Sequence, residues 1–412
     1  MSGVAAGSGG ALAGVRVLDL TQMLAGPYCT MMLADQGATV TKVEPIGGDP
    51  TRRFGPFPPG GEELAGGYGG YFQSTNRDKR SIAIDLAAPE GKAVLRALAR
   101  GSDVVVENFR AGVMDRLGLS YESLARDNER LVYAAIRGFG DPRTGDSPYM
   151  HWPAFDVVAQ AMGGAMGVTG SGPGSPLKIG PGIGDVFPAA MAAFAILAAL
   201  RHAERTGAGQ FVDVAMYDGM LALCERVVYQ RSYTGVAPGP EGNNHPLLCP
   251  FGMFRARDGH VTIACPRDTF WRELSTIMGR AELADDPRFQ TNAARLAHAA
   301  PTNAAVQAWT ERLSKQEIGA RLGGRVPFGP VNTADDIFAD PHVLGRGLLA
   351  EVEHPGSGKR VSIAASPIRM TLTPSRVRRR APLLGEDTDA VLQALGTTPD
   401  DIAALRGRGV VR

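Results

Sequence analysis

Residues 14–44 read GVRVLDLTQMLAGPYCTMMLADQGATVTKVE, and their pattern decides the fold. Val15–Leu20 is a short apolar run of strand length, Tyr28–Gln36 has the pattern of a helix, and Thr39–Glu44 is rich in β-forming residues. Strand, helix and strand joined by short turns make a parallel unit, because the helix carries the chain back along the sheet. The alternation continues outward, with a strand at Arg80–Leu86, a helix at Pro89–Arg100 and a buried strand at Asp103–Glu107. Further strands are expected at Leu131–Ile136 and Gly209–Met216, and a helix at Tyr217–Tyr233. The expected fold is α/β, with a doubly wound, Rossmann-like large domain over residues 14–228. The turn after the first strand has only Gly26 and lacks GxGxxG, so Glu44 at the end of the next strand is a weak sign of a dinucleotide site.

Around Gly235 to Pro250 the composition turns to Gly, Pro and Asn, which marks a boundary or a functional loop. Residues 229–330 read as a smaller α+β domain, with a hairpin-like Met253–Ala264 and helices near Phe270–Met278, Pro287–His298 and Thr302–Leu313. Residues 331–412 are loop-rich, with a strand expected at Ser362–Arg369 and a helix at Asp387–Leu395, and are assigned back to the large domain. Residues 1–13 lack the basic and apolar regions of a signal peptide and read as a flexible tail.

Among 412 residues, 43 basic side chains nearly cancel 42 acidic ones, so neither nucleic acid nor a membrane surface is expected as a partner. Cys29, Cys224, Cys249 and Cys265 are widely spaced and read as reduced thiols of a cytoplasmic protein. No histidine pair has ligand spacing, so no metal is expected. Gly356-Ser357-Gly358-Lys359 fails as a phosphate loop, since Glu353 and Arg360 stand where a glycine and a hydroxyl are required. No GxSxG is present.

Asp185 closes the glycine-rich run from Gly180 to Gly184 and opens fifteen uncharged residues, Val186 to Leu200, before Arg201 and His202. The apolar run is short for a bilayer and reads as a helix buried within protein. Asp185 fits a helix N-cap, with Pro188 in the first turn. It also fits a nucleophile, because a carboxylate at the positive end of a buried helix, approached closely by glycine backbone, stays ionised and can attack an electrophile. Local sequence leaves both open.

An ordered set of segments resembles the family III CoA-transferases of the CaiB/BaiF type. The set runs from residues 14–21 (GVRVLDLT) through 25–27 (AGP), 37–45 (GATVTKVEP), 76–86 (NRDKRSIAIDL) and 103–112 (DVVVENFRAG). It continues through Phe155-Asp156, Gln160-Ala161, Gly184-Asp185, 204–210 (ERTGAGQ), 242–246 (GNNHP), 340–342 (DPH) and 384–388 (LGEDT). The resemblance implies that Asp185 is the catalytic nucleophile, that coenzyme A or acyl-CoA is a substrate and no cofactor is permanently bound, and that a small carboxylic acid accepts the CoA. It implies CoA contacts from Met23, Leu24, Ala25, Ile84, Asn108, Phe109, Arg116, Arg137 and Phe139, with Arg116 and Arg137 facing the phosphates. It also implies an active-site loop at Gly242, Asn243, Asn244 and His245, where the formyl-CoA transferases have a run of glycines, so formyl-CoA and oxalate are not indicated as substrates. Finally, it implies an interlocked homodimer. The alternative within this group is 2-methylacyl-CoA racemisation or epimerisation, which needs a histidine where Phe155 stands, since proton exchange takes two titratable groups. An NAD-dependent dehydrogenase and a non-catalytic acyl-CoA-binding protein are further alternatives.

Overall fold

In a computed structural model, residues 9–59, 64 and 66–412 are described. Part of the expected tail and part of the Gly/Pro-rich stretch before Gly70 lie outside them. Six strands form the large sheet: β1 (Arg16–Asp19), β2 (Thr39–Glu44), β3 (Lys79–Ala83), β4 (Val104–Glu107), β5 (Val132–Arg137) and β6 (Phe211–Ala215). All pair in parallel, in the order β3-β2-β1-β4-β5-β6. The fold is therefore α/β and doubly wound, with its topological switch point between β1 and β4.

Alternate residues along each strand enter two apolar layers. Leu18, Val105 and Tyr133 pack with Leu95, Leu392 and Val411 on one face. Val17, Val104, Val106 and Val132 pack on the other with Cys29, Leu33, Ala192 and Ile196. Both β4 and β5 are buried along their whole length, as strands covered on both faces must be.

The helix carrying Asp185 runs from Ile183 to Thr206, 24 residues, longer than the uncharged run that announced it. Length and composition alone would let it cross a membrane. Its alanine-rich face (Ala189, Ala192, Ala193, Ala199, Ala203) is instead buried, packed with the sheet. The expectation that the whole helix lies inside the protein is corrected on its other face, where Met191, Phe194 and Leu197 are exposed, Phe194 at 70%.

The chain divides into two compact units. One comprises the described residues up to Ala165 together with Ile179–Val228 and His342–Arg412; the other comprises Met166–Lys178 and Tyr229–Pro341. The excursion 166–178, expected in the large domain, belongs to the smaller unit. Within that unit β7 (Phe251–Ala256), β8 (Gly259–Ala264) and β9 (Phe328–Pro330) form an antiparallel sheet. Trp271, Leu274, Val306 and Ile318 pack with it.

The structure corrects three local expectations. The Tyr217–Tyr233 helix is two helices, Met216–Leu223 and Glu225–Thr234. The strand expected at Ser362–Arg369 is one arm of a hairpin, β10 (Leu349–His354) with β11 (Lys359–Ala364). The end of the supposed tail is ordered, since the Leu12 N–H donates to the Gln36 carbonyl at 2.9 Å.

Six charged side chains, each at most 1% exposed, lie together beneath the start of the first helix, Ala25–Asp35. Lys79 Nζ donates to Asp19 (2.9 Å), Asn76 (2.8 Å) and the Pro27 carbonyl (3.0 Å). Lys42 Nζ donates to the Thr21 carbonyl at 2.7 Å and pairs with Asp49 at 3.0 Å. Arg52 grips Glu44 with two nitrogens, at 2.7 and 2.6 Å. Three positive charges meet three negative ones, the condition under which charges persist in a core. By holding the Thr21 and Pro27 carbonyls, the two lysines fix the turn between β1 and the helix.

Candidate active site

The long helix begins at Ile183, with Gly182 in the capping position and no side-chain cap. Asp185 is therefore in its first turn but is not its N-cap, and Pro188 lies inside the helix, not in the first turn. The capping role falls to Asp156, whose Oδ1 accepts the Gly184 N–H at 2.8 Å. A carboxylate from another helix thus satisfies a first-turn donor. The Asp185 carboxylate makes no hydrogen bond or ion pair with any described residue. Burial, and secondarily the charge of Asp156, push it from its ordinary 3.8 up to about 7. An ionisable group raised so far by burial and a like charge is what a functional site produces, whereas a cap would be lowered by its donors.

Tyr71, in the short helix Gly70–Thr75, is half-buried. Burial and the charges of Asp185, Asp49 and Asp156 push its phenol up to about 12, so it stays an O–H donor at neutral pH. No sequence signal singled it out. Leu24 also belongs to this neighbourhood: a Cβ on Gly182 would stand 3.0 Å from its Cδ2. Leu24, Tyr28, Met31, Met32 and Val186 line a cavity of about 290 Å³.

At the switch point, the residues after β1 and β4 are latched to each other. Asn108 accepts the Gln22 N–H at 2.9 Å and donates to the Gln22 carbonyl at 2.7 Å. Met23 beside it has φ +69°, a left-handed conformation unusual for a side-chain-bearing residue. Met23, Leu24, Ala25, Asn108 and Phe109 are thus gathered at the crevice where doubly wound sheets bind ligands. Arg116 is exposed and has no ion pair among the described residues.

Arg137 is placed differently. Its guanidinium is buried, ion-paired with Glu107 and Asp141, and Nε donates to the Phe109 carbonyl at 3.1 Å. Glu107 accepts the Phe109 N–H at 2.7 Å, so the pair clasps the Phe109 peptide from both sides. Phe139 is buried among Tyr149, Trp152 and Tyr217. Ile84 is buried at the end of β3, bridged to Val411.

The 242–245 loop belongs to the smaller unit. Gly242 has φ +63°, the Asn244 Oδ1 accepts from Asn303 at 3.0 Å, and His245 Nδ1 accepts the Leu247 N–H at 3.0 Å. Gly242, Asn243 and Asn244 are exposed and line grooves of about 750 and 630 Å³ within that unit.

A doubly wound sheet with a crevice at its switch point, and a desolvated carboxylate on the neighbouring helix, is an arrangement on which nucleotide-binding enzymes are commonly built. The sequence model of CoA-transferase family III matches residues 12–388. A succinyl-CoA:mesaconate CoA-transferase of Haloarcula marismortui is 49% identical over 387 residues, 94% of this chain and 97% of that protein. A succinate–glutarate CoA-transferase of Agrobacterium fabrum is 40% identical over 94% of this chain and 96% of its own length. The crystal structure of a CAIB/BAIF family protein from Brucella suis superimposes with a TM-score of 0.83 at 37% identity, covering 94% of this chain and 100% of that one. The chain belongs to CoA-transferase family III and is a CoA-transferase, with CoA thioesters as its substrates.

Proposed function

We propose that this enzyme moves CoA from succinyl-CoA to a small dicarboxylic acid through covalent intermediates on Asp185. The observation that carries the proposal is a desolvated, donor-free carboxylate in the first turn of a buried helix. An Asp185 oxygen attacks the thioester carbonyl, the C–S bond breaks, and a mixed anhydride and CoA thiolate form. The thiolate attacks the aspartyl carbonyl, releasing succinate and leaving an aspartyl-CoA thioester. The acceptor carboxylate attacks that thioester, and the thiolate freed a second time takes the acceptor acyl group, restoring Asp185. Tyr71 supplies an O–H donor to the oxygen on which charge develops.

The CoA nucleotide lies at the β1/β4 crevice against Met23, Leu24, Ala25, Asn108 and Phe109, with Ile84 and Phe139 shaping its walls and Arg116 facing the phosphates. Arg137 acts by holding the Phe109 peptide. Mesaconate and glutarate, named in the relatives, are both five-carbon dicarboxylic acids. A second subunit covers the exposed face of the long helix in an interlocked homodimer. Racemisation is disfavoured because Phe155 holds no proton.

The test is succinyl-CoA offered to a panel of mono- and dicarboxylates, with products read by mass spectrometry, and with hydroxylamine added to trap acyl-enzyme. Transfer to five-carbon dicarboxylates and a hydroxamate on Asp185 are expected. Undiminished turnover in Asp185→Ala would overturn the covalent mechanism.

A further inference from the structure

The short helix Asp156–Met162 carries two polar side chains that the proposed chemistry leaves unused. Asp156 opens the helix and Gln160 follows four residues later, so both lie on one face. Both are spent on the segment that presents Asp185. The Gln160 side chain is fully buried. Its Oε1 accepts the Ile179 N–H at 3.0 Å. Its Nε2 lies 2.8 and 3.0 Å from the two Asp156 oxygens, and 3.4 and 3.3 Å from the Ile179 and Pro181 carbonyls. Asp156 in turn holds the Gly184 N–H. A Cβ on Gly184 would stand 2.6 Å from the Asp156 carbonyl oxygen, so the residue before Asp185 has to be glycine for the two helices to approach this closely.

We infer that Asp156 and Gln160 are positioning residues for the nucleophile, fixing residues 179–184 and the first turn of the long helix in the one conformation that aims Asp185 at the thioester carbonyl. The inference rests on the reading of Asp185 as nucleophile. An amide enclosed by four acceptors leaves this segment little freedom, and near-attack geometry tolerates displacements of well under 1 Å. Asp156 has an electrostatic role as well. The titratable groups on elements packed around the long helix are Tyr28, Cys29 and Asp35 on the Ala25–Asp35 helix, and Asp156 on its own helix. Tyr133 and Arg137 stand on β5, Asp213 on β6, and Tyr217 and Asp218 on the Met216–Leu223 helix, with Tyr71 on its short helix nearby. Among these, the charge that acts on Asp185 is that of Asp156.

The experiment compares Gln160→Leu and Asp156→Asn with the native enzyme in steady-state kinetics across pH, alongside hydroxylamine trapping and peptide mass analysis. Gln160→Leu is expected to lower kcat by about 100-fold with KM for the acyl-CoA changed less than about threefold, as for a misaimed nucleophile. Asp156→Asn keeps an acceptor for Gly184 but removes the charge, so the acid limb of its kcat/KM profile is expected to move to lower pH by about one unit. If native enzyme gives no hydroxamate at Asp185, the underlying reading falls. If Asp185 is labelled but Gln160→Leu retains native kcat, or Asp156→Asn loses rate with no movement of the acid limb, the positioning inference falls alone. Should Gln160→Leu not accumulate as folded protein, the pH profile of Asp156→Asn decides.

Discussion

Asp185→Asn is expected to make the protein more stable as it abolishes turnover, and the gain is expected to depend on pH. Asp185 rises from its ordinary 3.8 to about 7 in the folded chain, first through burial and then through Asp156. Below pH 3.8 both folded and unfolded chains hold the proton, and the residue costs nothing. Between 3.8 and 7 the unfolded chain releases its proton while the folded chain keeps it, so stability falls with rising pH by about 1.4 kcal/mol per unit. Above 7 the loss is complete and constant. The whole interval from 3.8 to about 7 sets an upper bound of about 4 kcal/mol, and the partial exposure of the side chain reduces this to about 2 kcal/mol. Asparagine has the same shape and carries no charge. With unfolding entropy of about 2.1 cal/mol/K per residue, 2 kcal/mol raises the melting temperature of a chain this size by about 2 °C. Melting curves of both proteins from pH 4 to pH 9 check this: the difference should be near zero at pH 4 and reach its plateau above pH 7. A variant less stable than native at pH 8, or a gain equal at pH 4 and pH 8, would refute the assignment of a desolvated carboxylate.

Lys79→Met strands Asp19 without its main partner and should lower stability by about 3–5 kcal/mol in denaturant unfolding. Burial alone would raise Asp19, but Lys79 and Lys42 outweigh it and bring the carboxyl down to about 2. Its contribution is therefore present above pH 3.8 and lost as pH falls toward 2, which acid titration of the native protein followed by circular dichroism should record. Arg116→Ala should raise KM for the acyl-CoA about tenfold with kcat little changed, whereas Arg137→Ala should lower the melting temperature and impair both constants, because it releases Glu107 and the Phe109 peptide. Light scattering should find the native chain dimeric at micromolar concentration and Phe194→Asp monomeric or aggregated; a monomeric native protein would remove the role given to the exposed helix face.

The parallel sheet was legible because its evidence is local. Val15–Leu20 and Asp103–Glu107 are short runs with an apolar core, Thr39–Glu44 is rich in β-forming residues, and each contains the strand found there. What escaped depended on residues distant in the chain. Asp185 matched a helix cap by every neighbouring residue, yet Asp156 holds the helix start at Gly184 from 28 positions away. Arg137 had the look of a phosphate ligand until β4 and β5 lay side by side and brought Glu107 to it. Uncharged sequence from Val186 to Leu200 implied burial on all sides, but a hydrophobic run does not say what covers it, and Phe194 is bare within this chain. Asp156 and Gln160 stand at i,i+4, a spacing that offered a signal, but their target loop was invisible without the tertiary contact.

The same burial that costs stability at Asp185 favours the first step of the proposed mechanism. An ionised carboxylate in this site is poorly solvated, has no donor among the described residues and faces Asp156, so its negative charge is held at high free energy. In the proposed mechanism, attack on a thioester converts that carboxylate into a neutral anhydride and passes the charge to sulfur. The unfavourable environment is thereby relieved as the bond forms, and it acts on the ground state more than on the transition state. A raised pKa also makes the oxygen more basic, hence a stronger nucleophile, while leaving a substantial fraction ionised near pH 7. A true N-cap, lowered by the donors it satisfies, would be stable and unreactive. Placing the cap on Asp156 and leaving Asp185 beside it without a donor separates the two functions, so that the helix start is secured by one carboxylate and the other is available to the proposed reaction.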